Sequence, residues 1–372
     1  MWRIIFIALI LFFESFLAQN LEGQADSIMT KYDIPEMAFA VVTKDTILVQ
    51  KVRGHHRVTE KKGKPNASFE DLFHLGSNTK AITGFISAYL VEQGKIKWKT
   101  KFFDLFPKFK KSSNVKYHSI TLEDLLCHRA NVQPFTSGEE YSKLPKFKGT
   151  KQQKRTKFGE YVLRLSPIEN KNTYNYSNAG YSIAAMMLEK VSGKSWEQLI
   201  EEVLKTKLEI DFRLGWPSRN AKNQPLGHWL EGGNQVEVLP NVDYDLSLAE
   251  PAGDLSMNIH NYSKFIQLNI KGLSGERNIL TPETYQYLHT SKKDYSIGWS
   301  NYQDKTQEIS EHSGSDGTFF SYAQIDRKKH LGYIILVNTD PYGKGWIIKL
   351  EISEGVDQSE LLSSEQYLEV IG

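Results

Sequence analysis

The stretch Phe73-His-Leu-Gly-Ser-Asn-Thr-Lys80, continued by Ala81-Ile-Thr-Gly-Phe-Ile-Ser-Ala-Tyr-Leu-Val-Glu-Gln-Gly94, decides how the rest of the chain is read. Ile82, Phe85, Ile86, Tyr89 and Leu90 recur on one helical face, and Gly94 stands where such a helix closes. Ser77 therefore opens a helix, and Lys80 follows one turn on, on the same face and within reach of the hydroxyl. Two uses of the pair stay open from these residues alone. The serine can cap the helix. Alternatively, a lysine whose pKa is lowered by burial and neighbouring positive charge can help take the serine proton and leave a nucleophile. Partners elsewhere in the chain decide between them.

The chain has 372 residues and a net charge of +2, enough for one large domain or two closely joined ones, and nothing in that balance asks for nucleic acid. Arg3, the apolar run Ile4 to Phe13 and the small Ala18 predict an export signal over residues 1–18. Its removal would leave a periplasmic or secreted chain with no membrane span. An uncleaved anchor is the alternative, because Glu14 and Phe16 make a poor cleavage context. No cysteine stands directly after the run, which excludes lipid attachment there. Cys127 is the only cysteine, so no disulfide forms within the chain.

Met37 to Thr43 and Thr46 to Val52 predict an antiparallel hairpin about Lys44-Asp45, and further strands are read only near the far end, at Thr318 to Ile325 and Leu331 to Val337. Strands first and last with helices between predict a mixed α/β (α+β) fold. One antiparallel sheet, formed from both chain ends and flanked by helices, would carry a mainly helical insert over about residues 95–240. Thr121-Leu-Glu-Asp124 and Ser195-Trp-Glu-Gln198 are capping boxes that open helices in the insert, the second with Trp196, Leu199, Ile200, Val203 and Leu204 toward the core. Lys143 to Lys157, containing Pro145 and Gly149, reads as a solvated lysine-rich loop, with attraction of an anionic substrate as the other use.

Two further stretches carry polar groups in suggestive order. In Tyr174-Asn-Tyr-Ser-Asn-Ala-Gly-Tyr181, extended backbone would turn Tyr176 and Asn178 to one side. A phenol beside a lysine ammonium has its anion favoured, which would make Tyr176 a proton acceptor. The plain alternative is a packed tyrosine with Asn178 as helix cap. Glu311-His-Ser-Gly-Ser-Asp-Gly317 places His312 at the start of the last strand pair, where a surface histidine is the plain alternative, with glycines that permit close backbone approach. The adjacent His55 and His56 would project to opposite faces of a strand, so as a pair they do not suggest a metal site.

Taken together, Ser77-x-x-Lys80, then Tyr176-x-Asn178 roughly a hundred residues on, then His312-Ser-Gly314, resemble the serine β-lactamase and penicillin-binding-protein superfamily. The branch is that of class C β-lactamases, D-alanyl-D-alanine carboxypeptidases, D-aminopeptidases and related esterases. Ile120-Thr-Leu-Glu-Asp-Leu-Leu-Cys-His128, Tyr176 through Gly193, Glu250-Pro-Ala-Gly-Asp254, Tyr295-Ser-Ile-Gly-Trp299 and Val337-Asn338 extend the likeness over Asp26 to Asp340. The resemblance implies a single serine hydrolase domain over residues 23–340, with residues 341–372 as a tail.

The resemblance also implies the roles. Ser77 is the nucleophile, Lys80 its activating neighbour, and Tyr176 the general base in acylation and the proton donor to the leaving group. Asn178 holds the substrate amide or orients Lys80, and His312 and Gly314 line the substrate site. The backbone N–H groups of Ser77 and Ser315 form the oxyanion hole, where loss of one donor costs about a hundredfold or more in rate. Neither metal nor cofactor is implied, and the partner is a small-molecule or peptide substrate. Two departures matter. His312 replaces a lysine, a permanent cation, which turns the reading from β-lactams toward D-amino-acid peptides or small esters. Asn131 replaces a glycine but tolerates left-handed backbone. Three functions stay in view: a peptidase or esterase, a true β-lactamase, and a non-catalytic module that binds cell-wall peptides or a partner.

Overall fold

The computed structural model describes residues 21–169, 174–242 and 246–340, so the expected export signal at residues 1–18 and the tail from 341 lie outside the described residues. Within them the strands run β1 (Glu36–Val42), β2 (Ile47–Gly54), β3 (Phe73–His74), β4 (Arg213–Leu214), β5 (Gly227–Glu231), β6 (Asn234–Val238), β7 (Leu255–Met257), β8 (Asp294–Tyr295), β9 (Ser300–Gln303), β10 (Glu308–Ser315), β11 (Phe320–Asp326) and β12 (Leu331–Val337). Seven form one antiparallel sheet in the order β2-β1-β12-β11-β10-β9-β8. The expected architecture is therefore present: the first strand pairs with the last, Met37 opposite Val337 and Val42 opposite Gly332.

β1 is buried along its whole length because both faces of the sheet are covered. Side chains alternate across a strand. Ala38, Ala40 and Val42 accordingly join the main core with Phe265, Ile266 and Ile270 of the Ile259–Leu273 helix. Met37, Phe39 and Val41 join a second cluster with Leu21, Ala25 and Ile28 from a helix over residues 21–31. The Thr79–Glu92 helix is buried on nearly every side, with Ile82, Phe85 and Ile86 at 1 % exposure or less. Each such side chain contributes about 1.5–3 kcal/mol of burial. Among the described residues no helix is long and apolar enough to cross a membrane.

Both capping boxes of the insert form as written, Thr121 with Asp124 and Ser195 with Gln198, and Trp196, Leu199, Ile200, Val203 and Leu204 are buried. The sequence missed the short strands. β3, β7 and β4 make a three-stranded ribbon beneath the helices, and β5 and β6 a separate hairpin. A two- or three-residue strand is too brief for alternation to be read. The lysine-rich stretch is a loop only as far as Thr150, which caps a helix over Lys151–Arg164. Its charge is partly consumed internally, Lys143 by Glu139 and Lys151 by buried Glu250. β11 starts two residues later than expected, because the Asp316 carboxylate accepts the backbone N–H groups of Thr318 and Phe319 and holds them in a turn.

Candidate functional site

Ser77 does not open the helix directly. It sits in a single 3₁₀ turn, Gly76–Asn78, ahead of the helix that begins at Thr79. Gly76 has φ +48°, and a Cβ there would lie 2.5 Å from the Ser315 nitrogen. A Cβ on Gly314 would lie 2.0 Å from the Leu75 carbonyl oxygen and 2.6 Å from the Ser77 nitrogen. Turn and strand β10 thus touch backbone to backbone, which only paired glycines allow, and this brings the peptide nitrogens of Ser77 and Ser315 to neighbouring positions. Ser321 fixes the contact from β11, donating to the Leu75 carbonyl at 2.6 Å and accepting from the Asn78 amide at 2.7 Å.

Lys80 is fully buried, and burial holds its amine well below the ordinary lysine range. Its Nζ lies 2.7 Å from Asn178 Oδ1, 2.8 Å from the Ala252 carbonyl oxygen and 3.0 Å from Ser77 Oγ. A neutral amine has two hydrogens and one lone pair. In that neutral form, which burial favours, the two carbonyl oxygens take the hydrogens and the lone pair is left for the Ser77 hydroxyl to donate to, whereas the ammonium donates to all three. The arrangement readies the serine proton for removal.

Tyr176 and Asn178 reach the same point from the segment before the Asn178–Ser192 helix. Ser177, not Asn178, caps that helix by accepting from the Gly180 N–H, which leaves the Asn178 side chain free for Lys80 and for the Phe135 carbonyl. Tyr176 neighbours Ser77, and its ring centroid is 4.7 Å from Lys80 Nζ. The expected lowering of the Tyr176 pKa does not hold. Burial raises it, and the neighbouring Ser77 side chain opposes only in part. Tyr176 keeps its proton.

His312 lies on the same side of the site. It is buried on β10, and burial with the nearby Lys80 lowers its pKa to about 3. Its Nδ1 lies 2.7 Å from the Ser313 carbonyl and its Nε2 3.0 Å from the Tyr295 hydroxyl. The carbonyl requires a proton on Nδ1, so Nε2 accepts from Tyr295. His312 therefore offers no cation to a substrate carboxylate. Ser315 is exposed at the rim, its hydroxyl donating to Asp340 at 2.5 Å.

Three supports went unread as such in the sequence. The Ala252 carbonyl sits in the quoted Glu250-Pro-Ala-Gly-Asp254 stretch, whose first four residues form a short helix, Glu250–Gly253. His128, at φ +59°, accepts the Ser177 N–H on Nδ1 at 3.1 Å and packs its ring 4.2 Å from that of Tyr176, which sets where Tyr176 points. Asn131 follows it at φ +53°, the left-handed conformation expected in place of glycine. His74 is buried between Asp254, at 3.0 Å, and Asp316, at 3.4 Å. Burial opposes its charge, but the two carboxylates raise its pKa overall, so it clips the turn before Ser77 to the segments after Ala252 and after Ser315.

The sequence-named residues Ser77, Lys80, Tyr176, Asn178, His312, Gly314 and Ser315 thus come together, and among the described residues their cleft presents hydroxyl, phenol, amide and amine but no carboxylate set for a metal. Comparison with known proteins bears on the family. The "Beta-lactamase" family model matches residues 18–349. A second model, "Glycine cleavage H-protein", matches only residues 332–372, of which 341–372 lie outside the described residues. Protein flp of Staphylococcus aureus (strain MW2) is 22 % identical over 334 residues, covering 87 % of this chain and 64 % of its own length. The chain thus spans less than two thirds of the length of that relative. Unguisins hydrolase ungD' of Aspergillus campestris (strain IBT 28561) is 24 % identical over 273 residues, 67 % of this chain and 49 % of its own. The octameric penicillin-binding protein homologue from Pyrococcus abyssi superposes with a TM-score of 0.68 at 20 % identity, covering 87 % of this chain and 73 % of that one. With a family model matched across residues 18–349 and the fold to go with it, the chain belongs to the Beta-lactamase family of the serine β-lactamase and penicillin-binding-protein superfamily.

Proposed function

We propose that the chain is a serine hydrolase that cleaves an ester or amide through an acyl-enzyme on Ser77, with a D-amino-acid peptide or a small ester as donor. The observation that carries this is the buried Lys80 amine, whose neutral form burial favours, held between Asn178 Oδ1, the Ala252 carbonyl and the Ser77 hydroxyl. As Ser77 Oγ attacks the carbonyl carbon, its proton passes to Lys80. The carbonyl oxygen becomes an oxyanion between the N–H groups of Ser77 and Ser315. The new ammonium is stabilised by the faces of Tyr176 and Tyr181, 4.7 and 5.5 Å away. Tyr176 gives its proton to the departing alkoxide or amine and is reprotonated from Lys80. Water then repeats the sequence on the acyl group.

Donor preference follows from charge. His312 is neutral above about pH 3, so the cleft lacks the standing cation that a lysine would supply there. That favours donors without a carboxylate beside the scissile bond and weighs against β-lactam turnover. The relative named as a hydrolase is in keeping with this reading. Export is part of the same proposal, tested by N-terminal sequencing of the mature chain for a cut after Ala18.

The test is a fluorophosphonate label and a panel of p-nitrophenyl esters, D-amino-acid amides, D-alanyl-D-alanine peptides and a chromogenic cephalosporin, on wild type and S77A. Labelling at Ser77 with turnover of the neutral donors, both abolished in S77A, is expected. Fast cephalosporin turnover would establish a β-lactamase instead. Absence of label and of any turnover, with peptide binding retained in S77A, would establish a binding module.

A further inference from the structure

A second group of ionisable side chains lies on other elements and takes no part in the chemistry above. Glu36 opens β1, His56 follows the end of β2, and Asp71 sits on the loop that runs into β3 and on to Ser77. One ligating atom from each lies within 4.8 Å of the other two. Glu36 is 0 % exposed, and among the described residues neither of its carboxylate oxygens makes a geometrically sound hydrogen bond. His56 is 9 % exposed, and its Nε2 lies 3.0 Å from Asp71 Oδ2 without the alignment of a hydrogen bond. A buried carboxylate left in this state is costly. Nearby cations are committed elsewhere, Lys61 to Asp33 and Arg57 to Glu60. Glu36 and Asp71 thus face each other with His56 beside them, in a region closed to solvent.

We infer that Glu36, His56 and Asp71 bind a divalent transition-metal cation of the zinc class, which fastens the loop leading to Ser77 onto the edge of the β1–β2 hairpin. Two carboxyl groups and an imidazole offer an O,O,N donor set, which suits Zn²⁺ or Mn²⁺. The 3.0 Å between His56 Nε2 and Asp71 Oδ2 is the spacing of adjacent ligands each about 2.1 Å from one ion. The donors are held in advance. Asp71 accepts from the Ser68 N–H at 2.5 Å and hydroxyl at 3.0 Å, the His56 N–H donates to Asn66 at 2.9 Å, and the Glu36 N–H donates to Asn338 at 2.8 Å. Pro35 and His55, chain neighbours of two of the ligands, line a cleft of about 680 Å³. His55 and His56 were no metal pair as sequence neighbours. His56 finds its partners on two other segments.

The competing occupant is a proton shared between Glu36 and Asp71, and the experiment separates the two. Full-length wild type, E36Q, D71N and, as control, H55A are stripped with a chelator and titrated with Zn²⁺, with metal content measured by mass spectrometry and unfolding followed by circular dichroism. Wild type and H55A are expected to take up about one equivalent and to unfold at higher temperature as zinc is added, while E36Q and D71N bind at least about tenfold more weakly. Co²⁺ added to wild type should give visible absorption of a site with nitrogen and oxygen ligands, a readout that stands even if a variant fails to fold. A folded wild type that takes up no metal and shows no cobalt spectrum overturns the inference in favour of the shared proton. So does zinc uptake that E36Q and D71N leave unchanged.

Discussion

Gly314→Ala tests the backbone contact that places the two oxyanion donors. The added methyl carbon would meet the Leu75 carbonyl oxygen at 2.0 Å, the Ser77 nitrogen at 2.6 Å and the Asn78 nitrogen at 2.9 Å. All three are backbone atoms, held from behind by Ser321 on the Leu75 carbonyl and on the Asn78 side chain, so none can swing aside as a side chain would. Ordinary contact needs about 3.4 Å, so β10 and the serine turn must part by about 1.4 Å along this line. A shift of 1 Å in a reacting geometry costs about a hundredfold, and loss of one oxyanion donor about a hundred- to a thousandfold in kcat. We expect kcat for a p-nitrophenyl ester to fall by about two to three orders of magnitude, with a smaller change in KM. Overpacking should also lower stability by about 1–3 kcal/mol. Steady-state kinetics beside thermal unfolding measure both, and Gly138→Ala, where a Cβ meets nothing within 4 Å, is the control. A G314A enzyme with kcat within twofold of wild type and an unchanged melting temperature would refute the argument that the glycine contact sets the donors.

The remaining expectations concern charge and support. Because Lys80 must be neutral to accept the serine proton, kcat/KM should rise with pH through its lowered pKa and then level off, and H312Q should retain that acid limb since His312 titrates near 3. The sign for stability follows: below about pH 10.4 the unfolded chain binds a proton that the folded site refuses, so Lys80 costs stability increasingly toward acid, and K80M should flatten that slope in urea titrations at several pH values. Tyr295→Phe removes the donor to buried His312 Nε2 and should destabilise by about 1–3 kcal/mol, read from denaturant midpoints. Arg155→Ala strands the carboxylates of Glu189 and Glu197, and Glu250, raised to about 8 by burial and by its contact with Glu197, loses its partner as well. It should cost about 3–5 kcal/mol and, through the Glu250–Gly253 turn that carries the Ala252 carbonyl, lower kcat as well.

The buried network around Arg155 and the His74 clip explain why so tight an arrangement survives on loops and turns. Ser77, Ala252 and Ser315 come from segments far apart in the chain, yet His74 bridges Asp254 and Asp316 beside all three. Arg155 joins Glu189 on the Asn178–Ser192 helix to Glu250 at the head of the Ala252 turn. The groups that hold Lys80 are thus locked to each other through charges that cannot easily part from their partners in a dry interior. Cys127, by contrast, is inert packing. It is buried, with burial and then Glu123 pushing its thiol up to about 12.

What the chain determined by itself was local and periodic. The helical face after Lys80, the capping boxes at Thr121 and Ser195, the hairpin strands at either end and the ordered spacing of Ser77, Lys80, Tyr176, Asn178 and His312 are written in neighbouring residues, and the fold and the composition of the cleft could be read from them. Tertiary structure alone decided protonation and the fine geometry. Whether Lys80 is an ammonium or an amine, whether Tyr176 is a phenolate, and whether His312 is a cation depend on burial and on groups such as Ala252, Tyr295 and His128 that arrive from distant segments. The same holds for Glu36, His56 and Asp71, ordinary one at a time and convergent only after β1, β2 and the loop before β3 have packed. A pKa is set by the dielectric and the charges within a few ångströms of a group, and residue order along a chain does not specify those neighbours until the core has closed.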